Sequence, residues 1–303
     1  DPADATKSFT YQGAQADVQG TSSQYYERKN YKIKFNGGFV MANGVATSKY
    51  ALRGTAKSIP EKTFTFKADV ASSEGANNTE LAILYNDTCP YKTPGQLKDE
   101  RVRQCIDGFP IVTFWNDGTN TTFIGRYNWN NDKGTENTFG FVEGDESFEI
   151  LNNTSDRVIW KNDDFIGRDW LNDFEARYPD TDPPYEDPTQ LAEFASWVKS
   201  TDTTAATDNP LPSPVTYRVK TVEYVERVDP QTGAITYDEV EVVKDVTYTT
   251  DSAEYRLQKF NNELDNYAET DSLYFYYLFT ELFLMVDSRA KNAFPSFIGE
   301  EIE

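Results

Sequence analysis

Two periods run along this chain, and they divide it. Up to about residue 160 the apolar positions recur every second residue, the spacing of half-buried strands. Tyr31-Lys32-Ile33-Lys34-Phe35 alternates strictly and predicts a strand with Tyr31, Ile33 and Phe35 inward. Residues 63–68 alternate in the same way around Phe64 and Phe66. Weaker alternation over 8–19 and the short run 48–54 predict two more strands, and Asn36-Gly37-Gly38 a turn. FPIVTFW (109–115) and TTFIGRYNW (121–129) flank a turn over 116–120 and predict a hairpin. Short strands are expected over 147–151 and 157–160. A short helix is expected over 78–86, with Asn78 or Thr79 as its N-cap. Residues 88–107 carry no period and read as a long loop holding both cysteines.

After residue 165 the period lengthens. Trp170, Leu171, Phe174 and Tyr178 have helical spacing, closed by Pro179. Leu191, Phe194, Ala195 and Val198 mark a second helix. Tyr255, Leu257, Phe260 and Leu264 mark a third, over 252–267. Residues 200–214 read as a flexible loop. Between these elements, 215–250 predicts a long hairpin turning at 229–233, with its acidic residues on one face. Its strands hold too few large apolar residues to bury both faces, so it is expected to protrude and touch another chain. The stretch 271–292, DSLYFYYLFTELFLMVDSRAKN, organises the rest. It is apolar on every side up to Val286, which predicts a buried helix. Thr280 and Glu281 make it too broken for a membrane span. At its end it delivers Asp287, Arg289, Lys291 and Asn292. A rigid element carrying polar groups is a way to hold a site; the pattern alone favours the plainer reading, a core helix that surfaces and ends in solvated charge. The expected fold is α+β: an antiparallel, β-rich half over 1–160 packed on a helical half over 161–303, with a hairpin insertion at 215–250.

Composition narrows the chemistry. The 303 residues include 50 acidic and 29 basic ones, a net charge of −21. Nucleic acids and anionic membranes both require positive surface, so neither is an expected partner. Histidine is absent from the sequence, which excludes Ser-His-Asp and Cys-His catalysis and His-ligated metals. Cys89 and Cys105 can stay free or pair across their loop. The 19 tyrosines and 20 phenylalanines against two methionines give a stiff aromatic composition, common in interfaces, sugar sites and β-rich cores. The chain opens at Asp1-Pro2 without Met or leader, and stops directly after a structured stretch; it reads as a piece of something longer.

Several segments, kept in order, carry a resemblance. They are VQGTSSQYYERKNYKIKF (18–35), EKTFTFKADVASSEGANNTELAILYND (61–87), RVRQCIDGFP (101–110), FIGRYNWNNDKGTENTFGF (123–141), FEILNNTSDRVIW (148–160), DFEARYP (173–179), EYRLQKFNNEL (254–264) and LFTELFLMVDSRAKN (278–292). Together they cover nearly all the chain outside 180–250. The chain resembles the spore-coat protein H (CotH) kinase-like family, and more closely its divergent branch in phage structural proteins. The resemblance implies an atypical protein-kinase-like fold, with the two halves N-lobe-like and C-lobe-like. Asp287-x4-Asn292 looks like the kinase catalytic loop, which implies Asp287 as the catalytic carboxylate and Asn292 as a metal ligand. Lys32 and Lys34, opposite the apolar face of their strand, stand where a phosphate-pairing lysine would sit; the same positions suit an ordinary solvated face.

Departures from the family pattern bear on activity. Asn292 lies eleven residues before the end, and no second metal carboxylate is assignable after it. Gly125-Arg126-Tyr127 resembles the family's Gly-x-Tyr strand, but Asn128 and Asn130 stand where an acidic residue is expected. A Gly-rich phosphate loop is also missing from the sequence. The first reading is therefore a phage virion protein of tail, baseplate or neck type, without catalysis or cofactor. Its partners would be other virion proteins and its own copies, and its location the virion. The second is an active CotH-like kinase using ATP and Mg²⁺, with a metal loop beyond this sequence. The third is an adhesion or sugar-binding module using Trp115, Trp129 and Trp160.

Overall fold

The computed structural model describes residues 9–11, 13–20, 23–37, 39–41, 46–70, 77–150, 174–181, 189–203, 211–285, 288 and 293–299. The architecture is α+β, with antiparallel sheets and, among the described residues, six helices. Two compact units interleave along the chain. One takes residues 1–151, 174–186 and 275–303, the other 152–173 and 187–274.

The first unit opens with β1 (Phe9–Thr10), β2 (Gln15–Gln19), β3 (Asn30–Lys34), β4 (Phe39–Met41), β5 (Ala46–Thr47) and β6 (Thr63–Lys67). Helices α1 (Asn77–Thr88) and α2 (Pro94–Lys98) follow, then β7 (Gly108–Asn116) and β8 (Thr121–Asn131). Strands β2-β3-β6-β8-β7 form one five-stranded antiparallel sheet, and β1-β4-β5 a small one. The alternation read from 31–35 and 63–68 is realised here, since Ile33 pairs with Phe64 and Tyr31 with Phe66. These side chains share a face and build an aromatic core from Ile33, Phe35, Leu52 and Phe64. Trp129 lies against it, stacked on Tyr50 at 5.4 Å. Each large side chain buried in this way contributes about 1.5–3 kcal/mol.

After α3 (Glu136–Phe139), strand β9 (Glu146–Ile150) runs buried along its whole length. It is flanked by β10 (Phe174–Tyr178) and, much later in the chain, β13 (Ser296–Phe297). Phe148 and Phe174 are fully buried there.

The second unit contains α4 (Thr189–Ser200), β11 (Val215–Val228), β12 (Ile235–Tyr248) and α5 (Ala253–Tyr267). Ser252, read from the sequence as the first helical residue, is the N-cap of α5, its hydroxyl accepting from the Tyr255 amide. Trp197 of α4 stacks on Phe260 and Tyr267 of α5 and donates to Glu263. The hairpin forms in unbroken register from Val215–Tyr248 to Val228–Ile235. Its base is anchored to α5: Tyr248 stacks on buried Tyr255, and the Tyr217 hydroxyl donates to Glu263.

Several expectations need correction. The helix expected to end at Tyr178 is instead strand β10 over 174–178. Phe174 and Tyr178 are four apart, which satisfies a helix but also a strand of period two, and pairing with buried β9 decides for the strand. Residues 48–54 form a single bridge, Tyr50 to Glu61, before the chain turns at Gly54. Gly54 has φ +84, which a glycine takes without strain. The segment 88–107 is not all loop, because Thr93 and Gln96 close a capping box that starts α2. Neither Asn78 nor Thr79 is the cap; α1 already begins at Asn77, and Thr79 is buried and bonded to Asn130 of the sheet.

Helix α6 (Thr270–Leu282) is not buried on all sides. Phe275, Tyr276 and Phe279 pack on Tyr85 and Cys89 around α1, while Tyr277, Leu278 and Leu282 are exposed. Apolar composition all round states what the helix can bury, and the neighbours here supply one side. The strand expected over 157–160 lies outside the described residues.

Candidate functional site

Every second residue of the large sheet points away from the aromatic core, and this second face is polar. Register sets Lys32 between Asp17 of β2 and Thr65 of β6, and Thr65 beside Asn130 of β8. One step along, Lys67 pairs with Asn128. Thr65, Asn128 and Asn130 are buried. Buried amides need partners, and α1 supplies one, since Thr79 and Asn130 bond each other through hydroxyl and amide at 3.0–3.2 Å. The Asn128 amide donates to Asp69 at 2.8 Å, and Asn78 of α1 donates to the same carboxylate. Burial raises the Asp69 carboxyl above its ordinary value, partly offset by these two amides and by Lys67.

Ion pairs form on this face and on the strands β9 and β10. Lys32 pairs with Asp132 at 3.1 Å. Lys133 and Arg177 both reach Glu149, and Arg177 also holds Glu175. Lys67 donates to the Gln19 side chain at 2.6 Å. Burial pushes the Lys67 ammonium down; Lys133 adds to this, while Asp132, Asp69 and Glu149 oppose it. Asp132 is almost wholly buried at 1% exposure, and its second oxygen meets no partner among the described residues. Lys34 stands next to Lys32 on the same face, beside Gln15 and Thr63. Among the described residues no group of three or more acidic or cysteine side chains is arranged to hold a metal.

Of the residues marked from the sequence, Lys32 and Lys34 share this face, and Lys32 is bound to Asp132. Asp287, Arg289 and Asn292 lie outside the described residues. Lys67 was a third basic position legible beside them, whereas Asp69 and Asp132 were the less visible members. The signal for this face was the alternation of Asn128 and Asn130 with Tyr127 and Trp129, which puts two amides on the face opposite the aromatics. Trp129 belongs to the aromatic core, whereas Trp115 is exposed at the end of the β7–β8 hairpin beside the exposed Phe114–Phe123 pair. Trp160 lies outside the described residues. Cys89 and Cys105 are free thiols packed with Tyr85 and Phe279, and burial pushes the Cys105 thiol up to about 12. A thiol held protonated in this way is a poor nucleophile.

A polar groove of about 430 Å³ opens elsewhere in the first unit, lined by Arg53, Lys57, Asn86, Arg103 and Asp107. Its guanidinium groups are engaged: Arg53 with Asp107, and Arg103 with the carbonyls of Lys57 and Glu100. Among the described residues no helix is long and apolar enough to cross a membrane. Comparison with protein-family models, with curated proteins and with solved structures returned no match to this chain.

Proposed function

We propose that the chain is a structural component of a phage virion, of tail, baseplate or neck type, built on a CotH-like, kinase-related scaffold and working without catalysis. Its partners are other virion proteins and further copies of itself. The observation that carries the reading is the hairpin. Fourteen residue pairs are in register, yet only the base is packed on α5, and the outer rungs are exposed on both faces. An isolated two-stranded ribbon is marginal in water, so an arm of this length is best accounted for by a surface that it joins.

The polar sheet face supports the absence of catalysis. In protein kinases the lysine of the third strand pairs with a glutamate of the following helix. Here Lys67, on the third strand of the large sheet in chain order, is bonded to Gln19, and Glu80 in the first turn of α1 is exposed. Lys32 is neutralised by Asp132. These cations are already engaged by the fold's own groups, and a net charge of −21 repels polyphosphate.

Mass spectrometry of purified particles, with electron microscopy of the assembled virion, tests the reading. The chain is expected in stoichiometric amount, with the hairpin against a neighbouring subunit. Its absence from particles overturns the proposal. Calorimetric titration with ATP and Mg²⁺ is expected to show no binding below millimolar concentration. Tight binding abolished by Asp287→Asn would establish the kinase reading instead.

A further inference from the structure

The two faces of the hairpin differ in a way that the sequence conceals. In an antiparallel pair, residues directly opposite each other share a face. Glu223 lies opposite Val240, and Asp238 opposite Val225. On this face both carboxylates are neutralised within the hairpin, Glu223 by Lys244 and Asp238 by Arg227. The other face carries Val222–Glu241, Tyr224–Glu239, Glu226–Tyr237 and Val228–Ile235 as successive rungs. Among the described residues no cation pairs with Glu226, Glu239 or Glu241; Lys220 stands one rung below, opposite Val243. Acidic residues thus occupy both faces, against the expectation of one, but only this face leaves them unneutralised.

The middle two rungs make a checkerboard. Tyr224 and Tyr237 lie on one diagonal, Glu226 and Glu239 on the other. Side chains directly opposite are about 5 Å apart, and same-face rungs about 7 Å apart along the strand. The two rings are 66% and 62% exposed. A guanidinium can lie over a tyrosine ring within about 6 Å of its centre while its edge donates two parallel hydrogen bonds to a carboxylate. The checkerboard offers that combination twice. Lysine, a compact charge without a planar fork, uses it less well. The surrounding Val222, Val228 and Ile235, about half exposed, add apolar area to exclude water.

We propose that this face of the hairpin docks a partner protein through arginine side chains, each stacked on Tyr224 or Tyr237 and paired with Glu239 or Glu226. Charge selects the occupant. Residues 221–242 carry Glu223, Glu226, Asp229, Asp238, Glu239 and Glu241 against Arg227 alone. A second copy presenting the same face would repel it, as would nucleic acid or an anionic membrane. The inference rests on the reading of the hairpin as a contact element, and it names the chemistry of the contact.

The test titrates the full chain with the capped peptide Arg-Val-Arg-Val-Arg-Val at low salt, followed by NMR shifts of Tyr224 and Tyr237. Saturable shifts at those rings are expected, with weaker binding of the Lys-Val counterpart. The variant E226Q/E239Q/E241Q is expected to bind at least about tenfold more weakly, Tyr224→Phe to keep binding, and Tyr224→Ala to lose it in part. The opposite-face variant E223Q/D238N is expected to leave affinity unchanged. Circular dichroism checks that each variant remains folded. Absence of binding to the parent chain, equal binding by the triple variant, or equal loss in E223Q/D238N would overturn the proposal. Absence of the protein from purified virions would overturn the proposed function and leave the outcome of the titration untouched.

Discussion

Leu284 sits in the left-handed region at φ +50, two residues past the end of α6. The amide of Met285 bonds back to Thr280 and that of Leu284 to Glu281, the paired pattern of a Schellman cap. Met285 then folds onto the cluster containing Phe279, which completes the cap. Glycine usually holds this position, because any other residue loses about 1 kcal/mol or more to the conformation. Leu284 is 79% exposed, so truncation removes little packing. Leu284→Gly is therefore expected to stabilise the protein by about 1 kcal/mol, read as a higher denaturant midpoint at unchanged slope. A second residue-scale case is Arg256, which pairs with Asp251 at 2.6 Å with both side chains almost wholly buried. Arg256→Ala strands a buried carboxylate and is expected to cost about 3–5 kcal/mol. Hydrogen bonds from Arg256 hold the Asp251 carboxyl below its ordinary 3.8, against the opposing effect of burial. A carboxyl depressed on folding contributes stability that is complete above its ordinary range and is lost as pH falls through its folded value. Asp251→Asn should thus flatten the acid limb of the stability profile below about pH 4 and lower the plateau above it.

At the scale of elements, the hairpin separates into a base and an arm. Val219 is buried, and Tyr217 and Tyr248 pack on Tyr255. Beyond rung Lys220–Val243 both strands are largely exposed. Replacing 221–242 by Asn-Gly closes that rung with a two-residue turn suited to a hairpin. Stability is expected to change by less than about 1 kcal/mol, while the contact that we propose for the arm is lost. The longer deletion of 218–247 also removes Val219 and is expected to destabilise the unit. Both outcomes are read by calorimetry. In the β10 segment FEARY, Phe174, Ala176 and Tyr178 alternate with Glu175 and Arg177, and Arg177 thereby reaches Glu149. A helix over the same residues would break both the pairing with β9 and that ion pair.

The whole molecule is governed by its charge. At −21 the carboxylates repel one another across the surface, and the repulsion falls off within about 10 Å at 0.1 M salt. Raising sodium chloride from about 20 mM to 500 mM should therefore raise the melting temperature, because the Debye length shrinks severalfold over that range. A fall in melting temperature would mean that the matched pairs around Glu149 and Asp251, which salt weakens, outweigh the general repulsion. The same field keeps copies apart wherever carboxylates face one another, so self-association has to use the less charged parts of the surface.

The sequence by itself determined the elements whose signal is local. The alternation of 31–35 and 63–68 and the turn chemistry at 116–120 and 229–233 recur in the structure as read, because neighbouring residues suffice to select them. It also marked Lys32 and Lys34, though not what they meet. Tertiary structure alone decided which strands pair across long separations. Buried β9 recruits β10 from 174–178 and β13 from 296–297, and no local pattern encodes either choice. It decided that Lys32 finds Asp132 and that Thr79 leaves the cap position for Asn130, since both partners lie far along the chain. It also decided that α6 covers one side and leaves the other bare. Hydrophobic composition specifies how much a helix can bury; which side is covered depends on neighbours that only the folded chain brings together.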